Sequence, residues 1–272
     1  MSGRNLGAIF DEDAELYDKA RPSYPESLMN DLAELAGLRP GARVAEIGPG
    51  TGQATLALAA TGAHVVAVEF GPSLAARLQR KVAGLGVEVV VSAFEDWQPP
   101  VEQLDTVVAF TAWHWLSSEV RAAKTYAALR PGGTLATVTT MHVLGGTERF
   151  FAEVQDCYVS WDPDTPIALQ LSPASEVPQE RDEIDESELF EPAVRRRYHQ
   201  DITYSTDAYL EVLRTYSGHR ALPADLRTGL LSCIGQLIDT RYNGFIRKRY
   251  LYELRVAKRR PLSYCAAGSP SS

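Results

Sequence analysis

The residues best suited to chemistry form one short run, Val44-Ala45-Glu46-Ile47-Gly48-Pro49-Gly50-Thr51-Gly52-Gln53, in which a strand pattern leads into three glycines at alternate positions. Such glycines let the backbone turn sharply and approach a ligand, whose polar end meets N–H groups at the start of the helix that follows. The dinucleotide fingerprint G-x-G-x-x-G is not met, because its third glycine falls on Thr51 or Gln53, depending on register. Glu46, two residues before the first glycine, sets a carboxylate where a diphosphate would lie. Like charges repel there, whereas an ammonium or a sulfonium is attracted. Glu69, 17 residues beyond Gly52, ends the next strand pattern, where α/β nucleotide folds place an acid for the ribose hydroxyls.

Titratable and aromatic residues cluster after the fourth and fifth strand patterns. His114, in Thr111-Ala112-Trp113-His114-Trp115, is the first candidate for a general base, since it follows a strand whose carboxyl end opens toward a ligand. His142, Tyr216 and His219 are further candidates to face an acceptor. Trp113, Trp115 and Trp161 can build an aromatic pocket that also favours a cation. No cluster with metal-ligand spacing occurs, so no metal is expected.

The elements that must position these groups alternate in the βαβ manner from Arg43 to Thr140. Strands are predicted at Val44 to Ile47, His64 to Glu69, Val87 to Val91, Thr106 to Phe110 and Thr134 to Thr139, with helices over Gln53 to Ala60, Ser73 to Val82 and Ser118 to Leu129. Ser117 or Ser118 is the expected cap of the last helix. Two helical patterns, Asp13 to Arg21 and Glu26 to Ala36, precede the first strand, and Phe150 to Trp161 reads as a helix. Tyr198 to Tyr204 and Phe245 to Val256 read as two more strands, separated by helices over Thr206 to Tyr216 and Ala224 to Arg241.

The fold class is therefore α/β: a doubly wound, Rossmann-like, mostly parallel seven-stranded sheet with a helical N-terminal lid and an inserted helical cap. The expected division is a lid over 1–40, a cofactor-binding core over 41–141, a cap with an acidic loop over 142–197, C-terminal strands over 198–257 with a helical insertion at 206–241, and a disordered tail over 258–272.

Over 272 residues, 45% are hydrophobic and 23% charged, ordinary values for a globular chain. The net charge of −8 argues against a nucleic-acid partner, and Arg195-Arg196-Arg197 together with the basic residues from Arg247 to Arg260 read as solvated charge. Cys157, Cys233 and Cys265 are odd in number and far apart, so neither a disulfide framework nor a zinc site is expected. No apolar run reaches the ~20 residues of a membrane span. A cytoplasmic monomer or homodimer, with no nucleic acid and no membrane partner, is the expectation.

The run Glu46-Ile-Gly-Pro-Gly-Thr-Gly52, with Val65-Val-Ala-Val-Glu69, Leu104-Asp-Thr-Val-Val108 and Leu129-Arg-Pro-Gly-Gly-Thr-Leu135, resembles the class I S-adenosylmethionine-dependent methyltransferases. The N-terminal Glu15-Leu-Tyr-Asp-Lys-Ala-Arg-Pro-Ser-Tyr24 is similar to the opening of a bacterial small-molecule subgroup. The resemblance implies S-adenosyl-L-methionine as cofactor. Gly48 and Gly50 would line its methionine part, with Pro49 and Gln53 beside them, Glu69 would bind the ribose, and Phe70 would pack on the adenine. The turn Ala93-Phe94-Glu95 would read the adenine edge, although Ala93 stands where the family usually has an acid. Thr111 would lie near the sulfonium, and Tyr17 and Arg21 would close over the cofactor, Arg21 pairing with its carboxylate.

These features lead to an expected transfer of a methyl group to an O, N or C atom of a small, largely apolar molecule of secondary metabolism. His114 is the candidate base, and Tyr24, Trp115, His142, Trp161, Tyr216 and His219 are the candidate acceptor contacts. The alternatives are a cofactor-binding protein without transfer, a non-methylating use of the same cofactor such as cyclisation, an RNA or protein methyltransferase, and a NAD-dependent oxidoreductase.

Overall fold

A computed structural model describes residues 10–162, 165–166, 170–179 and 181–261. The expected disordered tail over 258–272 is ordered at its start: Lys258 ends the last strand, and Arg259 pairs with Phe190 and donates to the Leu129 carbonyl because the pairing continues past that strand's end. Residues from 262 onward and the first nine residues of the expected lid lie outside the described residues.

Seven strands form one sheet: β1 (Arg43–Ile47), β2 (His64–Glu69), β3 (Val87–Val91), β4 (Leu104–Phe110), β5 (Leu129–Gly146), β6 (Val194–Ser205) and β7 (Phe245–Lys258). Their order is β3-β2-β1-β4-β5-β7-β6. The first five run parallel, while β7 lies antiparallel to both β5 and β6. β1 is flanked by β2 and β4, so the strand order reverses beside it and opens a crevice at the carboxyl ends. Val44, Ala45 and Ile47 of β1 and Val107, Val108 and Ala109 of β4 are buried, as a sheet covered on both faces requires.

Two helices precede the sheet, α1 (Ala14–Ala20) and α2 (Glu26–Ala36). The Asp13 carboxylate caps α1 by accepting from the Leu16 N–H at 2.9 Å. Leu28, Leu32 and Ala36 place the buried face of α2 at four-residue steps, and Gly37, at φ 66°, ends it in the left-handed conformation. The crossover helices are α3 (Thr55–Ala60), α4 (Pro72–Lys81) and α5 (Arg121–Ala128). After β5 come α6 (Glu148–Glu153), α7 (Gln155–Trp161) and the short α8 (Glu183–Glu186). The last three, α9 (Thr206–Arg214), α10 (Ser217–Ala221) and α11 (Ala224–Arg241), fill the connection from β6 to β7.

The chain departs from expectation at several places, each for a local reason. Strand β5 runs to Gly146 rather than stopping at Thr139, because β7 continues the ladder alongside it as far as the Gly146–Lys248 pair. Helix α5 begins at Arg121 without a serine cap, since the Ser117 N–H donates to the Glu95 carboxylate at 2.9 Å and residues 118–120 form a turn. The segment from Phe150 to Trp161 is two short helices that meet at Val154.

The arginines expected to be solvated are paired. Arg195 bridges Asp185 and Glu253, Arg197 binds Glu253, Arg196 binds Asp31, and Arg255, 8% exposed, joins Asp182 and Asp185. The acidic segment thus folds back as the counter-charge of the antiparallel β6–β7 pair. A disulfide joins Cys157 of α7 to Cys233 of α11, against expectation, because folding brings together two helices 76 residues apart. Cys265 lies outside the described residues.

Candidate active site

A cavity of about 510 Å³ opens at the carboxyl ends of β1, β4 and β5, under α1 and the start of α10. Its floor at one end is the glycine turn. Gly48, Gly50 and Gly52 have φ of 66°, 60° and 91°, in the left-handed region. A Cβ on Gly48 would sit 2.6 Å from the Ala112 Cβ, and one on Gly52 equally close to Leu78. Only glycine fits both the conformation and the space.

Two acids meet at this turn. Glu69, 6% exposed, accepts from the Gly50 and Gly71 N–H groups at 2.8 and 2.9 Å, which ties the end of β2 to the loop after β1. Glu46 is 1% exposed and accepts from the Thr55 hydroxyl through Oε2 at 2.6 Å, while its Oε1 is buried with no hydrogen-bond partner. Burial pushes both carboxyls up to about 7, the Thr55 hydrogen bond opposing this at Glu46 and the Gly71 and Gly50 amides opposing it at Glu69. A buried carboxylate oxygen without a protein partner at the edge of a cavity is an unmet demand for a donor, best satisfied by a cation.

The middle of the cavity is set by Thr111, which ends β4 with φ 52°, uncommon for a β-branched residue. Its hydroxyl lies 3.2 Å from that of Tyr24 and 2.8 Å from that of Thr140, so three hydroxyls from α1's exit, β4 and β5 meet at one point. Tyr24 packs against Phe110 and Tyr252, with ring centroids 4.7 and 5.6 Å apart. The far end is aromatic. The His142 ring lies 5.4 Å from Tyr216 and 5.6 Å from Tyr250, whose hydroxyl is 3.0 Å from that of Tyr204. His142 is open to the cavity but enclosed by protein on its other sides, and burial with the charges of Lys248 and Arg21 holds its imidazole well below the usual range.

The structure brings most of the sequence-derived site together. Tyr17, Arg21, Glu46, Gly48, Pro49, Gly50, Gln53, Glu69, Phe70, Phe94 and Thr111 all line the cavity, as do Tyr24, His114, Trp115, His142, Tyr216 and His219. His114 and His142 are both exposed, His114 on the turn Trp113–Trp115 at the rim and His142 against the rings of Tyr216 and Tyr250. Three residues are elsewhere. Ala93 and Glu95 face away, with Ser92 lining the wall in their place, and Glu95 binds the Ser117 N–H. Trp161 packs on α11, where a Cβ on Gly229 would meet its ring at 2.2 Å.

Tyr250, Tyr252 and Thr140 line the cavity without having been singled out from the sequence. The signal for the first two was present. In the strand run Lys248-Arg249-Tyr250-Leu251-Tyr252 the even positions share one face, and that face turns toward the cavity.

Comparison with known proteins agrees with this geometry. A family model described as a methyltransferase domain matches residues 44–133, from β1 through the turn before the long part of β5. An uncharacterized methyltransferase of Mycobacterium tuberculosis is 28% identical over 244 residues, spanning 88% of this chain and 89% of its own. These matches support a class I S-adenosylmethionine-dependent methyltransferase. Among solved structures, a candidate type II methyltransferase of Anaeromyxobacter dehalogenans superposes with a TM-score of 0.59 at 23% identity, covering 89% of this chain and 99% of that one. A phospholethanolamine N-methyltransferase of Haemonchus contortus, in complex with phosphomonomethylethanolamine and S-adenosylhomocysteine, gives a TM-score of 0.53 at 16% identity over 96% of this chain and 61% of its own length. These likenesses are of fold. Arg21, at the C-terminal end of α1, and the lining residues of α10 and β7 lie outside the segment matched by the family model.

Proposed function

We propose that this chain transfers a methyl group from S-adenosylmethionine to an O, N or C atom of a small, largely apolar acceptor. The observation that carries the reading is the unpartnered Oε1 of Glu46 at the glycine turn. The residues fit this cofactor. Glu46 would take its ammonium, the backbone of Gly48 and Gly50 its methionine chain, and Glu69 its ribose hydroxyls, since a carboxylate has acceptor sites beyond the two amides it already binds. Phe70 and Phe94 would flank the adenine, with Ser92 beside them, and Arg21, held over the rings of Tyr17 and Tyr216, would present its charge to the cofactor carboxylate.

The cofactor supplies an activated methyl group, and the task of the chain is alignment. Tyr24, Thr111 and Thr140 hold the middle of the cavity rigid, and the aromatic end seats the acceptor. Fixing two reactants in line can supply ~7–11 kcal/mol of the barrier in favourable cases. His114, at the rim, would serve as a base only for an acceptor reaching that far. Of the expected lid over 1–40, Tyr17, Arg21 and Tyr24 line the cavity, while among the described residues of the expected cap over 142–197 only His142 does, so the closure that excludes water is given to α1 and α10.

Among the described residues no helix is long and apolar enough to cross a membrane. A cytoplasmic monomer or homodimer, acting on a small molecule, completes the proposal, with the Cys157–Cys233 bond pulling toward an oxidising setting. The test is incubation with methyl-labelled cofactor and a metabolite extract. Label in a small-molecule product is expected, and thermal stabilisation by NAD alone, without stabilisation by S-adenosylhomocysteine, would overturn the reading.

A further inference from the structure

The charged groups around the cavity are sorted by sign. Among the described lining residues the carboxylates are Glu46 and Glu69, both at the glycine turn. The far end has none, and its charges are positive. The Arg21 guanidinium lies 4.8 Å from the Tyr216 ring centre and donates to the Thr215 carbonyl at 2.8 Å. Behind the lining, Lys248 of β7 is 6% exposed, with its ammonium against the rings of Phe151, Tyr209 and Tyr250 at 5.2, 5.7 and 5.6 Å. Among the described residues no carboxylate lies within ion-pair range of that ammonium. Its field reaches both His142 and His219. The carboxylate of Asp162 acts on His219 as an opposing charge, from outside the lining.

We infer that the acceptor is an oxyanion, a carboxylate or an acidic phenolate on an apolar or aromatic body, seated at the end bounded by Tyr216, His142 and Tyr250 and drawn there by Lys248, with Arg21 engaged by the cofactor carboxylate. The inference rests on the methyl-transfer reading above and narrows its acceptor. The chemistry balances without a base. The acceptor oxygen's lone pair forms the O–CH3 bond as the C–S bond breaks, the electron pair returns to sulfur, and no proton moves. A negative oxygen and a positive sulfonium become two neutral products, so a water-poor aromatic cavity assists the step.

An amine acceptor would fare worse here. It must arrive uncharged and leaves as an ammonium near the fixed Lys248 cation, and the nearby imidazoles and phenols are poor proton takers. Burial holds the His142 and His219 rings below, and the Tyr216 and Tyr250 hydroxyls above, their ordinary ranges. The same burial weighs on any anion, and the buried Lys248 ammonium offsets it.

The test is calorimetric binding of three probes to the full chain saturated with S-adenosylhomocysteine, at about pH 6 so that the Lys248 ammonium is charged. The probes are 3-phenylpropionate, 4-nitrophenol (read also by its phenolate absorbance) and 3-phenylpropylammonium. With the neutral product in place, any preference reads the charges of the chain itself. An anion preference of about tenfold or more is expected. Tighter phenylpropionate binding assigns the carboxylate class, and tighter nitrophenol binding with increased phenolate absorbance assigns the phenolate class. Lys248→Met, nearly isosteric and suited to its aromatic box, should cut the preference several-fold while leaving S-adenosylhomocysteine affinity unchanged. Equal or tighter ammonium binding, an unaltered preference in Lys248→Met, or no binding of either anion at millimolar concentration would overturn the inference. Failure of S-adenosylhomocysteine itself to bind would overturn the methyl-transfer reading instead.

Discussion

Glu46 is a liability to the empty protein and an asset to the loaded one. At pH 8 its carboxyl, raised to about 7 by burial, is ionised in both the folded and the unfolded chain, but only the folded chain bears the desolvation. The sign follows. A buried acid with a raised pKa leaves stability intact below the unfolded value of about 4.5 and erodes it as pH climbs through about 7, by roughly 3 kcal/mol at most. Glu46→Gln keeps an oxygen for the Thr55 hydroxyl and removes the charge. It is expected to raise the Tm of the unliganded protein at pH 8 in differential scanning calorimetry while weakening S-adenosylhomocysteine binding at least tenfold; a lower Tm with unchanged affinity would refute this assignment. Gly48→Ala, by contrast, adds a Cβ 2.6 Å from Ala112 at a left-handed φ, and should cost more than about 1 kcal/mol in denaturant titration together with cofactor affinity.

Among the elements, α7 and α11 are locked together twice, by Cys157–Cys233 and by the Trp161 ring lying over Gly229. A mid-helix Gly→Ala change ordinarily stabilises by about 1 kcal/mol. At Gly229 it is expected to lower Tm, because the added methyl would displace the indole, and a rise in Tm would disprove the contact. The central elements were legible in the sequence because glycine spacing, alternating apolar runs and helix-stop signals all lie close together along the chain. What escaped was long-range. The disulfide, the extension of β5 and the pairing of Arg195 and Arg255 depend on partners 50 or more residues away or on an acidic segment without apolar period. Trp161 was assigned to the pocket on its chemistry, but a helix-helix contact claimed it. Ala93 and Glu95 were carried over from a family pattern that this turn does not follow, since Glu95 is engaged with the loop before α5.

For the whole molecule, the sheet sorts charge across the cavity. The parallel half ends in two acids and a glycine turn, and the antiparallel β5–β7–β6 half brings Lys248 and the tyrosines to the other end of the same cavity. The Cys157–Cys233 bond closes a long loop across the helices that cover that second half, and loop-closure entropy sets its worth at about 4 kcal/mol in a model-dependent estimate. Reduction, or the double change Cys157→Ala and Cys233→Ala, should therefore lower Tm by several degrees; an unchanged Tm would mean that the bond does not form in solution.

The most direct measurement is the affinity for S-adenosylhomocysteine as a function of pH, for the wild type and for Glu46→Gln. If the free Oε1 of Glu46 selects the cofactor's ammonium, wild-type binding strengthens as pH rises toward about 7 and then levels off, while the variant binds weakly and with a flattened profile over the same range. Equal affinities and parallel pH profiles for the two proteins would contradict the account.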